Sequence, residues 1–203
     1  MKTILSLFDH SGNWSRPYRE AGYHVLQHDL KLGQDIFEDT IPFCNLLRAE
    51  GISVHGILAA VPCTEFASSG ARWWQAKDAQ PAPYDSKHVE FDNRLDMARG
   101  MVLATLVIVE WLRPQFWALE NPVGRIRRIV PEIGEPRLKF DPCEYGDPYT
   151  KRTYLYGRFN ERLPKTPVLP LFGSLMHRMS GSWKEQRSVT PMGFARAFFL
   201  ANP

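Results

Sequence analysis

Two short stretches of this sequence carry side chains suited to covalent chemistry. The first is Ala59-Ala60-Val61-Pro62-Cys63-Thr64-Glu65-Phe66, which follows the apolar run Gly56-Ile57-Leu58. The second is Ala118-Leu119-Glu120-Asn121-Pro122-Val123, which ends the apolar run Phe116 to Leu119. Each reads as a buried strand whose end presents a reactive group, Cys63 in one case and Glu120 in the other. A free thiol is only a few per cent thiolate at neutral pH and needs help to attack. A carboxylic acid opposite it suits addition of sulfur to a ring that must be protonated or hydrogen-bonded as the bond forms. Taken separately, each motif has a plainer reading. A lone cysteine is commonly a small buried hydrophobe, and a Glu-Asn pair before proline is commonly a turn or capping device. The pairing carries the chemistry, because parallel neighbouring strands could bring Glu120 beside Cys63.

The rest of the chain must position them. Thr3 to Phe8 reads as a strand, Asp9-His10-Ser11-Gly12-Asn13-Trp14-Ser15 as a tight loop and Arg16 to Ala21 as a short helix. Tyr23 to Asp29 is a second strand ending on an acid about 20 residues after the loop, where a carboxylate in nucleoside-binding α/β domains meets ribose hydroxyls. Asp35-Ile36-Phe37 falls in a loop before a helix over Phe43 to Glu50, after which comes the Cys63 strand. Alternating strands and helices predict an α/β, Rossmann-like domain over 1–203 with a mostly parallel sheet.

From Thr64 to Asp92 there is no clean periodicity, and a stretch this long is expected to be a mobile binding loop. Arg72 beside Trp73 and Trp74 suits stacking on a base, although a tryptophan pair capping a core fits equally. Phe91 to Leu112 reads as a long core helix, Gly124 to Val130 as a short basic helix and Leu138 to Phe140 as a strand. Cys143 to Gly157 reads as an edge hairpin with Lys151 and Arg152 at its start. Pro164, Pro167 and Pro170 mark a linker, Met176 to Arg187 lacks a period, and Thr190 N-caps a closing helix to Asn202.

At 44% apolar and 23% charged residues, the 203-residue chain is ordinary for a globular protein with a sizeable core. Its longest apolar run, Met101 to Val109, is too short to span a bilayer, and Met1-Lys2-Thr3-Ile4 does not open a signal peptide, so a cytoplasmic protein is expected. Cys44, Cys63 and Cys143 are too far apart for a CxxC site, which leaves neither a disulfide framework nor a metal centre. A net charge of +3 is compatible with a polyanionic partner without identifying one.

The order of these motifs resembles the DNA cytosine-C5 methyltransferases, short phage-borne versions in particular, over nearly the whole chain. Phe8-Asp9-His10-Ser11-Gly12 stands where that family has its Phe-x-Gly-x-Gly loop, with His10 in place of the first glycine. Pro62-Cys63 with Phe66 and Ser68 is similar to its Pro-Cys-x-x-Phe-Ser loop, and Glu120-Asn121-Pro122-Val123 to its Glu-Asn-Val motif. Tyr145-Gly146-Asp147-Pro148 resembles the family's Tyr-Gly-x-Pro. The Gln-x-Arg-x-Arg element that follows there is reduced here to Tyr149, Lys151 and Thr153, or to Arg152 after a one-residue shift. Ser188-Val189-Thr190-Pro191 resembles the closing motif that returns beside the cofactor.

The resemblance implies S-adenosylmethionine held by Phe8, Asp9, Ser11, Gly12, Asn13, Trp14, Asp29, Asp35, Ile36, Ser188 and Val189. It implies methyl transfer to C5 of cytosine in DNA through a Cys63 adduct, with Glu120, Lys151 and Arg152 assisting. Ser68, Arg72, Trp73, Trp74 and Arg125 would face nucleic acid. Only about thirty residues separate Gly157 from Ser188, where the family inserts its target-recognition domain. Specificity would then be short, absent, or supplied by a separate protein or a second copy. Methylation of a free pyrimidine nucleotide and a non-catalytic binding role stay open on the sequence alone.

Overall fold

The computed structural model describes residues 1–84, 86–87, 89–174 and 188–203. Most of the segment between Pro170 and Ser188, including Met176 to Arg187, lies outside them.

Six strands form one sheet in the order β2-β1-β3-β4-β6-β5. They are β1 (Thr3–Leu7), β2 (His24–His28), β3 (Val54–Ala59), β4 (Phe116–Pro122), β5 (Leu138–Phe140) and β6 (Thr153–Arg158). β2, β1, β3 and β4 run parallel; β6 is antiparallel to β4, and β5 to β6. Between the parallel strands lie α1 (Arg16–Glu20), α2 (Ile36–Ala49), and then α3 (Trp74–Asp78) with α4 (Arg94–Leu112). α5 (Ile126–Ile129) follows β4, and α6 (Met192–Ala201) closes the described chain.

The period of two along each strand sorts side chains to the two faces of the sheet. Leu5, Leu7, Ile57, Ala59 and Leu119 pack with Cys44 and Leu47 of α2 and Val102 and Ile108 of α4. Ile4, Leu58, Phe116, Ala118 and Leu155 pack with Tyr18 of α1 and Phe194 and Phe198 of α6. Each buried Leu, Ile, Val or Phe among them contributes about 1.5–3 kcal/mol over exposure. Both faces are therefore apolar, as continuous runs such as Gly56-Ile57-Leu58-Ala59 require.

Four sequence expectations are revised. α2 begins at Ile36, not Phe43: the Asp35 carboxylate accepts from the Phe37 N–H, Glu38 and Asp39 occupy its first turn, and the helix passes through Pro42. β6 is an interior strand, flanked by β4 and β5. The stretch after Cys63, read without regular elements, contains a 3-10 turn over Ser68–Trp73 followed directly by α3. At α6 the N-cap is Pro191, and the buried Thr190 hydroxyl has no hydrogen-bond partner among the described residues.

Candidate active site

The chain leaves β1 toward β2 on one side and resumes with β3 on the other, so β1 and β3 flank a switch point where the loops diverge. Ligands in open α/β sheets sit outside the carboxyl ends of the strands at such a point. Here a cleft of about 900 Å³ opens there, walled by the loops after β1, β2 and β3.

On the β1–β2 side the cleft is lined by Phe8, Asp9, His10, Ser11, Asp29 and Ile36. Phe8 adopts φ 57, an uncommon conformation for a residue with a side chain, while its N–H donates to His28 O across the strands at 2.8 Å. Asp9 is buried, and its two carboxylate oxygens accept from the Ser6 and Ser11 hydroxyls at 3.0 and 2.8 Å. Gly12 follows at φ +66. Asp29 caps the turn that follows β2 by accepting from the Lys31 N–H at 2.8 Å and still lines the cleft. Burial pushes the His28 imidazole below its ordinary pKa, against the opposing pull of Asp39, 3.4 Å from Nε2, and of Asp29 and Asp35. Ser188 lines the same cleft, and the Asn13 amide reaches Thr190 O at 3.4 Å, so the closing motif returns beside the first loop.

Cys63 lines this cleft from the β3 side, half-buried, with Arg72 and Trp73 on the rim. Trp73 is 54% exposed and packs under the Arg72 guanidinium. β3 and β4 are adjacent, with Ala59 opposite Leu119, so Glu120 and Cys63 both leave the same sheet edge. The two loops are fastened to each other. The Asn121 amide donates to Val61 O at 3.0 Å, the Ser68 N–H to Val123 O at 2.9 Å and the Arg125 N–H to Phe66 O at 2.9 Å. Gly124 permits this approach, since a Cβ there would lie 1.9 Å from Phe66 O.

Glu120 is buried, and the Lys151 ammonium lies 3.5 Å from its carboxylate with only 5% of its own side chain exposed. A buried cation beside a buried carboxylate offsets part of the desolvation of both. Lys151 is thus turned toward the acid, not outward to a phosphate. Arg152 is exposed and ion-paired to Asp141 at 2.6 Å. Both line a second cleft of about 510 Å³ with Ser68, Pro122 and Thr150; Ala67 and Ser69 wall it from the first.

Several residues read as ligand contacts do other work. Trp14 is fully buried against Phe194 and Phe198 on the α6 face, so its side chain does not reach the cleft. Asp35 caps α2 and accepts from the Tyr84 hydroxyl at 3.4 Å. Gly12, Asn13 and Val189 do not line the cleft. Arg125 and Trp74 do not face nucleic acid. Arg125 is 6% exposed, stacks on Trp74 at 4.5 Å and forks onto Asp78 at 2.6 and 2.5 Å. Sequence reasoning missed Glu65, Asp78 and Arg94, whose ion pairs fasten the Cys63 loop. Glu65 and Arg94 pair at 2.9 Å across 29 positions, a separation no local motif reveals. Among the described residues no group of His, Cys, Asp and Glu could hold a metal ion, and no helix is long and apolar enough to cross a membrane.

No protein-family model and no curated protein matches the sequence. Solved structures do match. A chain encoded within an E. coli prophage and assigned as a DNA modification methyltransferase aligns over 83% of this chain with a TM-score of 0.54 and 14% identity. The two share a fold. The match covers 53% of the prophage structure, so this chain spans about half its length. A Spodoptera frugiperda DNMT2 variant aligns over 84% of this chain and 56% of its own at 16% identity, but its TM-score of 0.42 is too low to carry weight.

Proposed function

We propose that this protein transfers a methyl group from S-adenosylmethionine to C5 of cytosine in DNA. The observation that carries the reading is the cross-fastening of the loops after β3 and β4. It holds Cys63 and Glu120 at one sheet edge beside the cleft that Asp29 and the β1 loop line.

The lining residues fit S-adenosylmethionine. Asp29 would meet ribose hydroxyls, Leu30 and Ile36 would give an apolar wall for a purine, and Ser11 would offer a hydroxyl. When bound, that cofactor would supply an electrophilic methyl group. C5 of cytosine is too weakly nucleophilic to accept it directly. The Cys63 thiolate would add at C6 and convert the ring to an enamine, with the electron pair delivered toward C5. Glu120 would hydrogen-bond or protonate N3 as the sulfur adds, and accept from the exocyclic amine, which favours cytosine over thymine. Once C5 has taken the methyl and the donor sulfonium has left as a neutral thioether, loss of the C5 proton to a base would expel the thiolate and restore the ring. A base within duplex DNA must first be flipped out, at about a few kcal/mol. Arg72 and Trp73 on the rim would stack on or replace it.

Bisulfite sequencing of DNA from cells expressing the protein should reveal methylated cytosines. In Glu120→Gln, which keeps the shape but not the proton, the rate should fall by about a hundredfold or more. Unmodified DNA, with methylation of free deoxycytidine monophosphate instead, would move the substrate to the nucleotide.

A further inference from the structure

Arg125, beside the cleft, has three side-chain hydrogen bonds and a ring stack within the protein. Its Nε donates to Glu65 O at 2.8 Å, two residues beyond Cys63. Its two terminal nitrogens fork onto both oxygens of Asp78 in α3. Its guanidinium plane lies 4.5 Å from the Trp74 ring, and its own N–H joins the ladder to Phe66. One buried side chain therefore ties the loop after β4 to both ends of the segment 65–78, which carries Arg72 and Trp73 to the rim. The inner end of that segment is held again by Arg94 on Glu65, and Lys77 donates back to Thr64 O at 2.9 Å.

We infer that Arg125 is a positioning residue: it fixes Cys63 relative to Glu120 and sets Arg72 and Trp73 over the cleft, without touching the substrate. A planar fork that makes three directed bonds and one stack cannot be replaced by a point charge, so lysine at this position keeps the charge and loses the function. The inference rests on the methyltransferase reading for its catalytic consequence, while the clamp itself is a property of the fold.

Arg125→Lys separates the two. Hydrogen–deuterium exchange over 64–78 should rise about tenfold, the mark of a segment that opens more readily while the sheet does not. Alkylation of Cys63 by iodoacetamide, read against a Cys63→Ser control, should change with it; neither readout requires methyl transfer. At saturating DNA and cofactor, kcat should fall by up to about a hundredfold with KM for the cofactor little changed, as misplacement of a nucleophile by an ångström would give. Asp78→Asn keeps the Nε bond to Glu65 and should loosen the same segment less, which preserves the test if Arg125→Lys fails to fold. Unchanged exchange and alkylation in both variants, or a loosened loop with wild-type kcat, would overturn the inference. If the wild-type protein transfers no methyl group to DNA, exchange and alkylation still decide the clamp, and the failure belongs to the proposed function.

Discussion

The two walls of the cleft are built differently. On the β1–β2 side the two acid side chains are held mostly by near neighbours, Asp9 by Ser6 and Ser11 and Asp29 by the turn it caps, while the backbone of the first loop is also tied to Gln27 and its Asn13 side chain to Thr190. On the β3–β4 side the Cys63 loop is held by residues far away in the chain: Asn121 and Arg125, each about 60 positions off, and Arg94, 29 away. A loop supported from within can change its ligand-facing residues at little cost to the fold. One supported from across the sheet binds catalysis and stability together.

The largest expected effect lies on the β3–β4 side. Lys151→Met leaves the Glu120 carboxylate buried without its cation, and should cost about 3–5 kcal/mol in denaturant unfolding. Adding Glu120→Gln should recover much of that stability without activity. If Lys151→Met unfolds like the wild type, the pair is not a unit and the contrast between the walls weakens. On the β1–β2 side, Asp29→Ala should weaken S-adenosylmethionine binding by about tenfold, the worth of one or two hydrogen bonds to ribose, with little change in Tm. Unchanged affinity by calorimetry would remove Asp29 from the site.

The smallest effect is a pH dependence from the same side. The folded state lowers the His28 pKa below the unfolded value of 6.5. The unfolded chain therefore binds the proton first as pH falls, so the contribution is present above about 6.5 and lost as pH falls through the folded pKa. Thermal unfolding should show Tm declining below that point in the wild type and less steeply in His28→Gln. Parallel profiles would mean that other groups govern the slope.

The same contrast explains what could be read in the sequence. The alternation of strands and helices, the acid ending β2 and the strand ends that carry Cys63 and Glu120 were legible, because each depends on residues within one strand-loop unit. Trp14 was misplaced because it follows Asn13 directly, yet the turn into α1 swings its ring to the face covered by α6. The start of α2 was misplaced: the helix was read only from Phe43, beyond Pro42, whereas the Asp35 cap and acidic first turn carry it through the proline. Arg125 was read as facing nucleic acid because it opens the basic run Arg125-Ile126-Arg127-Arg128, of which Arg127 and Arg128 are indeed exposed. Its partners, Asp78 and Trp74, meet it only once β3 and β4 are side by side.

The central claim is that Cys63 attacks the cytosine ring. DNA carrying 5-fluorocytosine replaces the proton that must leave C5, so methyl transfer should leave the Cys63 bond to C6 intact. With S-adenosylmethionine present, a protein–DNA adduct stable to denaturing electrophoresis should form with the wild type and not with Cys63→Ser, which should still bind the cofactor. Methylation of ordinary DNA by Cys63→Ser at the wild-type rate, or turnover on ordinary DNA with no adduct on the fluorinated strand, would contradict it.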